Sequence, residues 1–367
     1  MRFLCQQKTL VHSINIVQKA VSYKTTMPII KGIYIEATND TLKLVATDLE
    51  MGIEHKTEVT VYEEGATVVD ARLFSEIIKK LPDAQVEITL KENNQLYIKC
   101  ENSEFNIICH DPQEFPELPF VEEDYFYEIP QDLLKDMIRQ TIFATSQDES
   151  RPVLTGTLLE IEEDILNMVA LDGYRLALIK GKIQSQMDNK VIIPAKTLNE
   201  VNRIIYEDEE KIYITFTENH ALFLIGNTKL ISRLLQGEFI NYKQIIPTEY
   251  KSRVKVKTKG LLNSIERASL VAREGKNNLV KLMISNNKIT ITSNSELGMV
   301  HEEVFIELEG DEIEIAFNSK YLIDALKVIE DEEIYIEFTS NLSPGILKST
   351  ISNNYTHLIL PVRLSGN

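Results

Sequence analysis

A unit of 122 to 124 residues recurs three times along the chain, and this repeat constrains the fold more than any other feature. Gly32 precedes Asp48 by 16 residues, and Gly156 precedes Asp172 by the same 16. Each pair brackets two short apolar segments with an alternating pattern, which is typical of a β-hairpin. A weaker third copy ends at Asn294, 122 residues after Asp172. The sequence therefore predicts three similar domains.

The length and composition of the chain agree with this division. A chain of 367 residues is longer than a domain with a single hydrophobic core usually is. Its content of 43% hydrophobic and 26% charged residues is typical of a globular protein. We predict that domain 1 covers residues 1–126, domain 2 residues 127–248 and domain 3 residues 249–367.

The cysteines and the amino terminus predict a cytoplasmic protein. Three widely spaced cysteines, an odd number, favour reduced thiols over disulfides. The first residues of the chain become polar too early for a secretory signal peptide. No apolar run approaches the roughly 20 residues that a membrane-spanning helix requires. We therefore expect a cytoplasmic location and no contact with a membrane.

Two helices are predicted in each domain. Apolar residues at spacings of three and four indicate these helices, and Asp70 is placed to cap one of them. The first helices of the three domains are predicted at residues 8–22, 131–145 and 259–271, and the second helices at residues 70–81, 192–206 and 318–329. Alternating segments elsewhere predict strands, so the expected fold class is α+β.

Basic residues recur at one position of the second helices. Arg72, Lys196 and Lys320 follow one another at intervals of 124 residues. Helical lysines usually mark solvated helix faces, and that interpretation stays open. The repeat favours a different one, in which six helices related by pseudo-symmetry form one basic inner surface that contacts phosphates without reading bases. Six helices make half a ring, so this interpretation requires a dimer.

The net charge of −17, taken alone, argues against a nucleic-acid partner. The distribution of the charges points the other way. The first predicted helix contains Lys8 and Lys19 and no acidic residue, whereas acidic runs occupy residues 207–210 and 330–333. The acidic residues are therefore predicted on outer strands and loops, away from the basic helices.

The sequence contains no motif of a common enzyme class. It has no glycine-rich phosphate loop, no Gly-x-Ser-x-Gly, no His-Glu-x-x-His and no Cys-x-x-Cys. Cys100, Cys109 and His110 come closest to a metal-binding set, but we favour the interpretation that they are two core strand residues and a loop residue. Asp172 is expected to satisfy the backbone of a turn in which Gly173 supplies a permissive φ, and a hydrolase that uses Asp172 and Arg175 is the alternative. We predict no catalytic residues, no metal and no cofactor.

Four motifs resemble those of a known family. They are Arg151-Pro-Val-Leu-Thr-Gly156, Asp172-Gly-Tyr-Arg-Leu-Ala177, Thr47-Asp48-Leu49-Glu50 and Leu360-Pro-Val-Arg-Leu364. Through them, and over its whole length, the chain resembles the bacterial DNA polymerase III beta subunit, the sliding clamp. The resemblance implies a DNA clamp fold of three similar domains, each with two helices lining the inside and antiparallel sheets outside. It also implies a head-to-tail dimeric ring around double-stranded DNA, without catalytic activity, that serves as a processivity factor.

The resemblance further implies a hydrophobic peptide-binding groove between domains 2 and 3. Its expected partners are the DNA polymerase III catalytic subunit, the clamp loader, and other polymerases and repair proteins with clamp-binding peptides. The positions that match the family's groove are Leu154, Leu171, Gly173, Tyr174, Arg175, Leu176, Ile240, Ile245, Leu358, Leu360, Pro361, Val362, Arg363 and Leu364. Such an apolar groove suits leucine and aromatic anchors.

The chain departs from the family's pattern at the edge of this groove. Ile240 stands where the family often has proline, and Gln244 where it often has arginine. Because both residues lie at the edge of the groove, we expect the preference for partners to differ. Residues 365–367 extend past the usual end of the family's chains and are expected to flank the groove or cover part of it.

The dimer interface and the DNA contacts are carried over by position in the same way. Phe105 and Ile107 of domain 1 are expected to face Leu270 and Val271 of domain 3 in the other chain, because apolar anchors suit an obligate interface. The alternative is that all four belong to the cores of their own domains. The positions that match DNA contacts are Lys24, Arg72, Arg151 and Lys196.

One further alternative is a repeat-built protein-interaction scaffold that does not encircle DNA. A stable monomer with the chain's mass of 42.0 kDa favours the scaffold, and a dimer favours the clamp.

Overall fold

The computed structural model describes residues 1–122, 125–185, 187–205, 211–275 and 278–363. The chain forms two compact units. Unit 1 comprises Met1–Gln131 and Asn199–Leu234, and unit 2 comprises Asp132–Leu198 and Leu235–Asn367. Each unit is built on one large antiparallel sheet, and the described residues form six α-helices in all. The predicted α+β fold class is confirmed.

The helices follow the predicted repeat. They are α1 (Gln7–Val17), α2 (Ala71–Lys80), α3 (Gln131–Thr141), α4 (Ala195–Ile204), α5 (Thr258–Ala272) and α6 (Ser319–Val328). Helices α2, α4 and α6 have 10 residues each and begin 124 residues apart. Asp70 caps α2 as predicted, because its carboxylate accepts a hydrogen bond from the backbone N–H of Leu73 at 2.8 Å.

Strands are numbered in chain order through both units. In unit 1 they are β1 (Arg2–Gln6), β2 (Gly32–Thr38), β3 (Thr41–Thr47), β4 (Met51–Glu58), β5 (Thr60–Glu63), β6 (Gly65–Asp70), β7 (Gln85–Lys91), β8 (Gln95–Cys100), β9 (Ser103–His110), β10 (Tyr127–Pro130), β15 (Lys211–Phe216), β16 (His220–Ile225) and β17 (Thr228–Arg233). Their spatial order is β10-β15-β16-β17-β4-β3-β2-β6-β9-β8-β7-β1-β5. Strands β4 and β17 pair with Gly52 opposite Ile231, and we call this pairing the first seam.

The strands of unit 2 are β11 (Gly156–Glu162), β12 (Ile165–Leu171), β13 (Arg175–Lys182), β14 (Asn189–Pro194), β18 (Ser252–Lys257), β19 (Leu279–Ser285), β20 (Lys288–Ser295), β21 (Gly298–Gly310), β22 (Ile313–Asn318), β23 (Glu333–Phe338), β24 (Gly345–Ser349) and β25 (Tyr355–Ile359). Their spatial order is β14-β11-β12-β13-β25-β24-β23-β18-β21-β20-β19-β22. Strands β13 and β25 pair with Leu176 opposite Leu358, and we call this pairing the second seam. Because β13 follows β4 by 124 residues, the two seams are equivalent in the repeat.

Three predicted helix boundaries are wrong. Helices α1 and α3 end earlier than predicted, and each continues into a short 3-10 turn, Gln18–Ala20 and Ile142–Ala144. Residues 192–194, predicted to open α4, belong to β14, where Ile193 pairs with Thr157. The β-branched isoleucines favour the strand, and Pro194 disfavours helical geometry in the residue before it. The acidic run at residues 207–210 lies outside the described residues.

The three cysteines are buried and unpaired, in agreement with the predicted reduced thiols. Burial raises the pKa of the Cys5 thiol to about 11, so this thiol stays protonated and unreactive near neutral pH. No helix of the described residues is both long and apolar enough to cross a membrane. The cytoplasmic location itself stays a prediction.

Candidate functional site

An apolar cluster covers one face of the unit 2 sheet around the second seam. Its buried members are Leu154, Leu158, Val169, Leu171, Leu176, Leu178, Ile192, Phe239, Tyr242, Ile346 and Leu358. Leu154, Leu171, Leu176 and Leu358 among them are residues predicted for the groove. The register explains how they meet: Leu176 lies opposite Leu171 on one side and opposite Leu358 on the other, so the three side chains project from the same face.

The turn between β12 and β13 borders this cluster. Asp172 Oδ1 accepts hydrogen bonds from the backbone N–H groups of Tyr174 and Arg175, at 2.9 and 3.1 Å. Gly173 has a φ of +94°, a conformation that strains any residue with a Cβ atom. The side chain of Tyr174 is 60% exposed, and its carbonyl accepts a hydrogen bond from the N–H of Leu360 at 2.8 Å. The turn therefore presents an aromatic ring beside the apolar cluster.

The side chain of Arg175 is turned into the protein and is only 9% exposed. Its Nη1 donates to Asp324 Oδ2 and its Nη2 to the carbonyl of Phe143, both at 2.6 Å, while Nε donates to Asp172 Oδ2 at 3.1 Å. The guanidinium also lies 4.7 Å from the centre of the Tyr321 ring. Arg175 thus ties the turn to α6, and its predicted contribution to a partner groove stays a prediction.

The segment 239–246 forms another border of the cluster. The side chains of Phe239 and Tyr242 are buried in it, whereas those of Ile240 and Ile245 remain 45% and 38% exposed. The buried pair anchors the segment to the sheet, and the exposed pair supplies apolar surface. The two predicted isoleucines therefore occupy positions from which a groove rim can be built.

The carboxyl-terminal residues run next to the turn. The side chain of Leu360 is partly exposed, those of Pro361 and Val362 are half-buried, and that of Arg363 is exposed. The N–H of Val362 donates to the carbonyl of Ala316 at 2.8 Å, which fixes this stretch to β22. Leu364 and residues 365–367 lie outside the described residues.

Several residues of this surface did not emerge from the sequence. Val153, Leu235 and Ile246 are partly buried and pack against the cluster. The ring of Tyr321 stacks on that of Tyr174, with centroids 6.2 Å apart and 21° between the planes. Val153 and Ile246 are adjacent in the sequence to the predicted groove residues Leu154 and Ile245, so the sequence offered a reason to include them. Tyr321 reaches the turn from α6, and no local pattern indicates that contact.

The first seam is covered by the chain itself. Gly52 stands at the repeat position of Leu176, and a Cβ on Gly52 would lie 2.2 Å from Cδ2 of Leu118. Leu118 packs against two buried clusters, one containing Val45 and the other containing Leu222. Leu118 lies between β9 and β10 and fills, at the first seam, the place that the side chain of Leu176 takes at the second.

The recurring bases are all exposed. Arg72, Lys196 and Lys320 are each the second residue of their helix. Arg72 Nε lies 3.0 Å from Glu76 Oε1, a surface ion pair of the kind that contributes little stability and that a phosphate can replace. Lys24 and Arg151 lie on exposed loop positions, with Arg151 Nε 3.2 Å from Asp148 Oδ2. Their role as DNA contacts stays a prediction.

Lys19, one of the bases of the first predicted helix, has a different role. Its Nζ donates a hydrogen bond to the carbonyl of Arg203 at 2.9 Å, at the carboxyl end of α4. Burial lowers the pKa of Lys19 although Glu200 acts to raise it. Because a cation at this end of a helix satisfies its last carbonyl groups, Lys19 serves as a cap.

The residues predicted for a dimer interface differ in exposure. Phe105 and Leu270 are 38% and 64% exposed, whereas Val271 is half-buried. Ile107 is only 7% exposed and belongs largely to the core of its own unit. Its neighbour Ile108, which is not among the predicted interface residues, is exposed instead. The interface stays a prediction for all four residues.

No group of histidine, cysteine, aspartate or glutamate side chains in the described ranges is arranged to hold a metal ion. Cys100 and Cys109 are buried strand residues, and His110 ends β9. The side chain of Asp172 is engaged by two backbone N–H groups and by Arg175, which is the turn-forming role expected of it.

The chain is similar to proteins of one family along its whole length. Residues 1–119, 128–241 and 243–363 match the N-terminal, central and C-terminal domains of the DNA polymerase III beta subunit. The beta sliding clamps of Bacillus subtilis and Halalkalibacterium halodurans are 42% and 41% identical to it, over 99% of this chain and 100% of theirs. A crystal structure of the DNA polymerase sliding clamp from Bacillus subtilis has a TM-score of 0.96 and 41% identity, covering 99% of both chains.

Proposed function

The chain belongs to the DNA polymerase III beta subunit family, the beta sliding clamps, and on this premise we propose that it closes into a head-to-tail dimeric ring around double-stranded DNA. As a beta sliding clamp with the three-domain clamp fold, it is a non-catalytic polymerase III subunit and a processivity factor in DNA replication. The proposed ring retains its polymerase by topology. A closed ring leaves a duplex only by opening or by sliding off an end, so weak contacts with DNA are compatible with long retention.

The observation that carries this proposal is the exposed base at the second position of α2, α4 and α6. Three equivalent bases on repeated helices suit a surface that meets the phosphate backbone at regular intervals. Contacts with phosphates position a protein on DNA without reading sequence, which is what sliding requires. Lys24, Arg72, Arg151 and Lys196 are the proposed contacts.

The apolar cluster at the second seam supports a partner groove. It offers a buried apolar floor, and Tyr174, Ile240, Ile245 and Leu360 add exposed apolar surface around it. A short peptide with leucine and aromatic side chains can bury its anchors there, the mode in which a few central residues carry most of the binding energy. The proposed ligands are clamp-binding peptides of the polymerase III catalytic subunit, the clamp loader, other polymerases and repair proteins.

Unpaired strand edges support the proposed dimer. Residues 103–108 of β9 pair only with β8, and residues 298–305 of β21 pair only with β20, as far as the described residues extend. Exposed apolar side chains, Ile108 and Phe305, occur on these unpaired segments. An unpaired strand segment of this kind is a template for pairing with another chain. A joint between β9 of one chain and β21 of another would cover both edges.

Retention on circular and linear duplex DNA tests the ring. The protein is loaded onto circular duplex with a clamp loader, isolated by gel filtration, and half of the sample is cut once with a restriction enzyme. We expect the protein to stay on the circle and to leave the cut DNA, unless bulky protein blocks are bound at both ends. Equal retention on circular and cut DNA without end blocks would refute the topological link.

Light scattering tests the dimer. The wild-type protein is expected to have twice the chain mass of 42.0 kDa, and Phe105→Arg is expected to shift it toward the monomer, because a charge is buried in an apolar interface. Phe120→Arg is the matched control, since Phe120 is 87% exposed and lies outside the proposed interface. A wild-type monomer would favour the scaffold that does not encircle DNA.

A further inference from the structure

A buried carboxylate lies beside the apolar cluster of unit 2. Glu160 in β11 is only 5% exposed. Its Oε2 accepts a hydrogen bond from the hydroxyl of Tyr242 at 2.6 Å and lies 3.1 Å from Lys243 Nζ, while its Oε1 lies 3.4 Å from Lys190 Nζ. We call these four residues the Glu160 cluster. It joins the segment 239–246 to the sheet by polar contacts that the apolar cluster does not provide.

The Glu160 cluster fixes the middle of that segment. The ring of Tyr242 is buried in the apolar cluster, and its hydroxyl donates to Glu160. Few other placements of the segment 239–246 would keep both contacts. Lys243, the next residue, also contacts Glu162 Oε2 at 2.8 Å. Ile240 and Ile245, the exposed isoleucines, lie two residues before and three residues after Tyr242. Any shift of Tyr242 is therefore transmitted to both of them.

The repeat supplies an internal comparison. Glu36 precedes Glu160 by 124 residues and occupies the same place in β2 as Glu160 does in β11. Glu36 forms an ion pair with Lys43 on the neighbouring strand. In unit 2 the position of Lys43 is taken by Asn167, and the position of Leu118 is taken by Tyr242. In unit 2 the equivalent carboxylate keeps a contact with a neighbouring strand, through Lys190 of β14, and also reaches the segment above the sheet through Tyr242 and Lys243.

The electrostatics explain why this contact holds its geometry. Burial acts to raise the pKa of Glu160, but the hydrogen bond from Tyr242 and the lysines outweigh burial and hold the pKa below its usual value. Burial and the neighbouring carboxylate raise the pKa of Tyr242, so its hydroxyl remains a hydrogen-bond donor. An ionised carboxylate at a buried site is costly without its partners, so the cluster resists movement of any one of them.

We propose that Glu160 is a positioning residue of the partner groove. Through Tyr242 and Lys243 it holds Ile240 and Ile245 where they can receive the apolar anchors of a peptide, and it does not itself touch the peptide. This inference rests on the proposed function of the groove. It adds a residue, remote from the rim, that sets how long a partner remains bound.

Two variants test the cluster with little change in shape. Tyr242→Phe removes the hydroxyl and keeps the ring, and Glu160→Gln removes the charge and keeps the length of the side chain. The matched control is Glu36→Gln, which removes the equivalent carboxylate from the sheet of unit 1. Hydrogen exchange measured by mass spectrometry is expected to accelerate in residues 239–246 of the first two variants and to remain unchanged there in the control.

Peptide dissociation tests the role in binding. The probe is a short fluorescein-labelled peptide with leucine and phenylalanine anchors, followed by anisotropy after dilution into unlabelled peptide. We expect Tyr242→Phe and Glu160→Gln to speed dissociation about tenfold, the factor that loss of one hydrogen bond to a charged group typically represents. Glu36→Gln is expected to dissociate at the wild-type rate.

A rim variant separates positioning from a general loss of stability. In a chain that carries Ile240→Ala and Ile245→Ala, Glu160→Gln is expected to have no further effect on dissociation, since the residues that it positions are gone. Unchanged dissociation in the single variants, with normal wild-type binding, overturns the inference and leaves the proposed groove intact. Failure of the wild-type protein to bind the peptide refutes the groove and the inference together.

Discussion

His357 in β25 is a titratable side chain enclosed beneath the second seam. Its ring centre lies 5.6 Å from that of Phe143 and 5.4 Å from that of Tyr355. Neither ring nitrogen has a hydrogen-bond partner among the described residues, and burial lowers the pKa of His357 to about 3. We predict that His357→Leu makes the protein less sensitive to acid, because leucine fills a similar volume and takes up no proton.

The magnitude follows from the difference between the folded and unfolded pKa. Histidine in an unfolded chain titrates near pH 6.5, and a one-unit pKa difference is worth about 1.4 kcal/mol. Because the folded pKa is depressed, the unfolded state takes up the proton first as the pH falls. The free energy of unfolding therefore decreases by about 1.4 kcal/mol per pH unit below about pH 6.5, which amounts to about 2 kcal/mol at about pH 5. Above about pH 7 the contribution no longer changes.

Urea unfolding followed by circular dichroism measures this effect. The change in unfolding free energy between about pH 7.5 and about pH 5 is determined for the wild-type protein and for His357→Leu, and we expect it to be about 2 kcal/mol smaller in the variant. Leu347→Met is the control, since Leu347 is also buried and this volume-conserving change removes no titratable group, so the variant should keep the wild-type difference. An identical pH dependence in wild type and His357→Leu would show that the buried imidazole is not what couples stability to protons.

Three further predictions concern the seams and the basic helices. Arg175→Met leaves Asp172 and Asp324 without their shared cation and is expected to destabilise the protein by about 3 kcal/mol in urea unfolding; an unchanged midpoint would mean that the ion pairs are dispensable. Gly52→Ala is expected to cost about 1–3 kcal/mol through its clash with Leu118, and Leu118→Ala in the same chain should recover part of that loss, whereas strictly additive effects would contradict the contact. Lys196→Ala is expected to reduce the slope of log K against log salt for DNA binding by about 0.9, with Lys180→Ala on the sheet as a control that keeps the wild-type slope.

The repeat made much of the fold predictable from the sequence. Helices α2, α4 and α6 follow from a spacing of 124 residues together with local signals, such as the carboxylate of Asp70 before α2. The predicted ends of α1 and α3 lie later in the chain than the observed ends, because apolar residues continue past the point where the backbone tightens into a 3-10 turn. Lys19, inside one of these turns, is held by the carbonyl of Arg203, a contact that no local pattern encodes.

The floor of the candidate groove was more accessible to sequence reasoning than its supports. Leu171, Leu176 and Leu358 are apolar strand residues that register brings onto one face. The alternation of side chains in β13 predicts that Arg175 and Leu176 point to opposite faces of the sheet, so Arg175 does not project from the face that carries the apolar cluster. The contact of Glu160 with Tyr242 joins residues 82 positions apart, and it became visible only when the folded chain placed them together.

Because Leu118 covers the first seam, the number of partner proteins that the proposed dimer can bind at one time is limited. Of the two seams in the described residues, only the second would remain open to a partner peptide, so the proposed dimer would offer two such binding sites. More than two kinds of partner would then compete for these sites. The order in which they act on the DNA would depend on their local concentrations and on their dissociation rates.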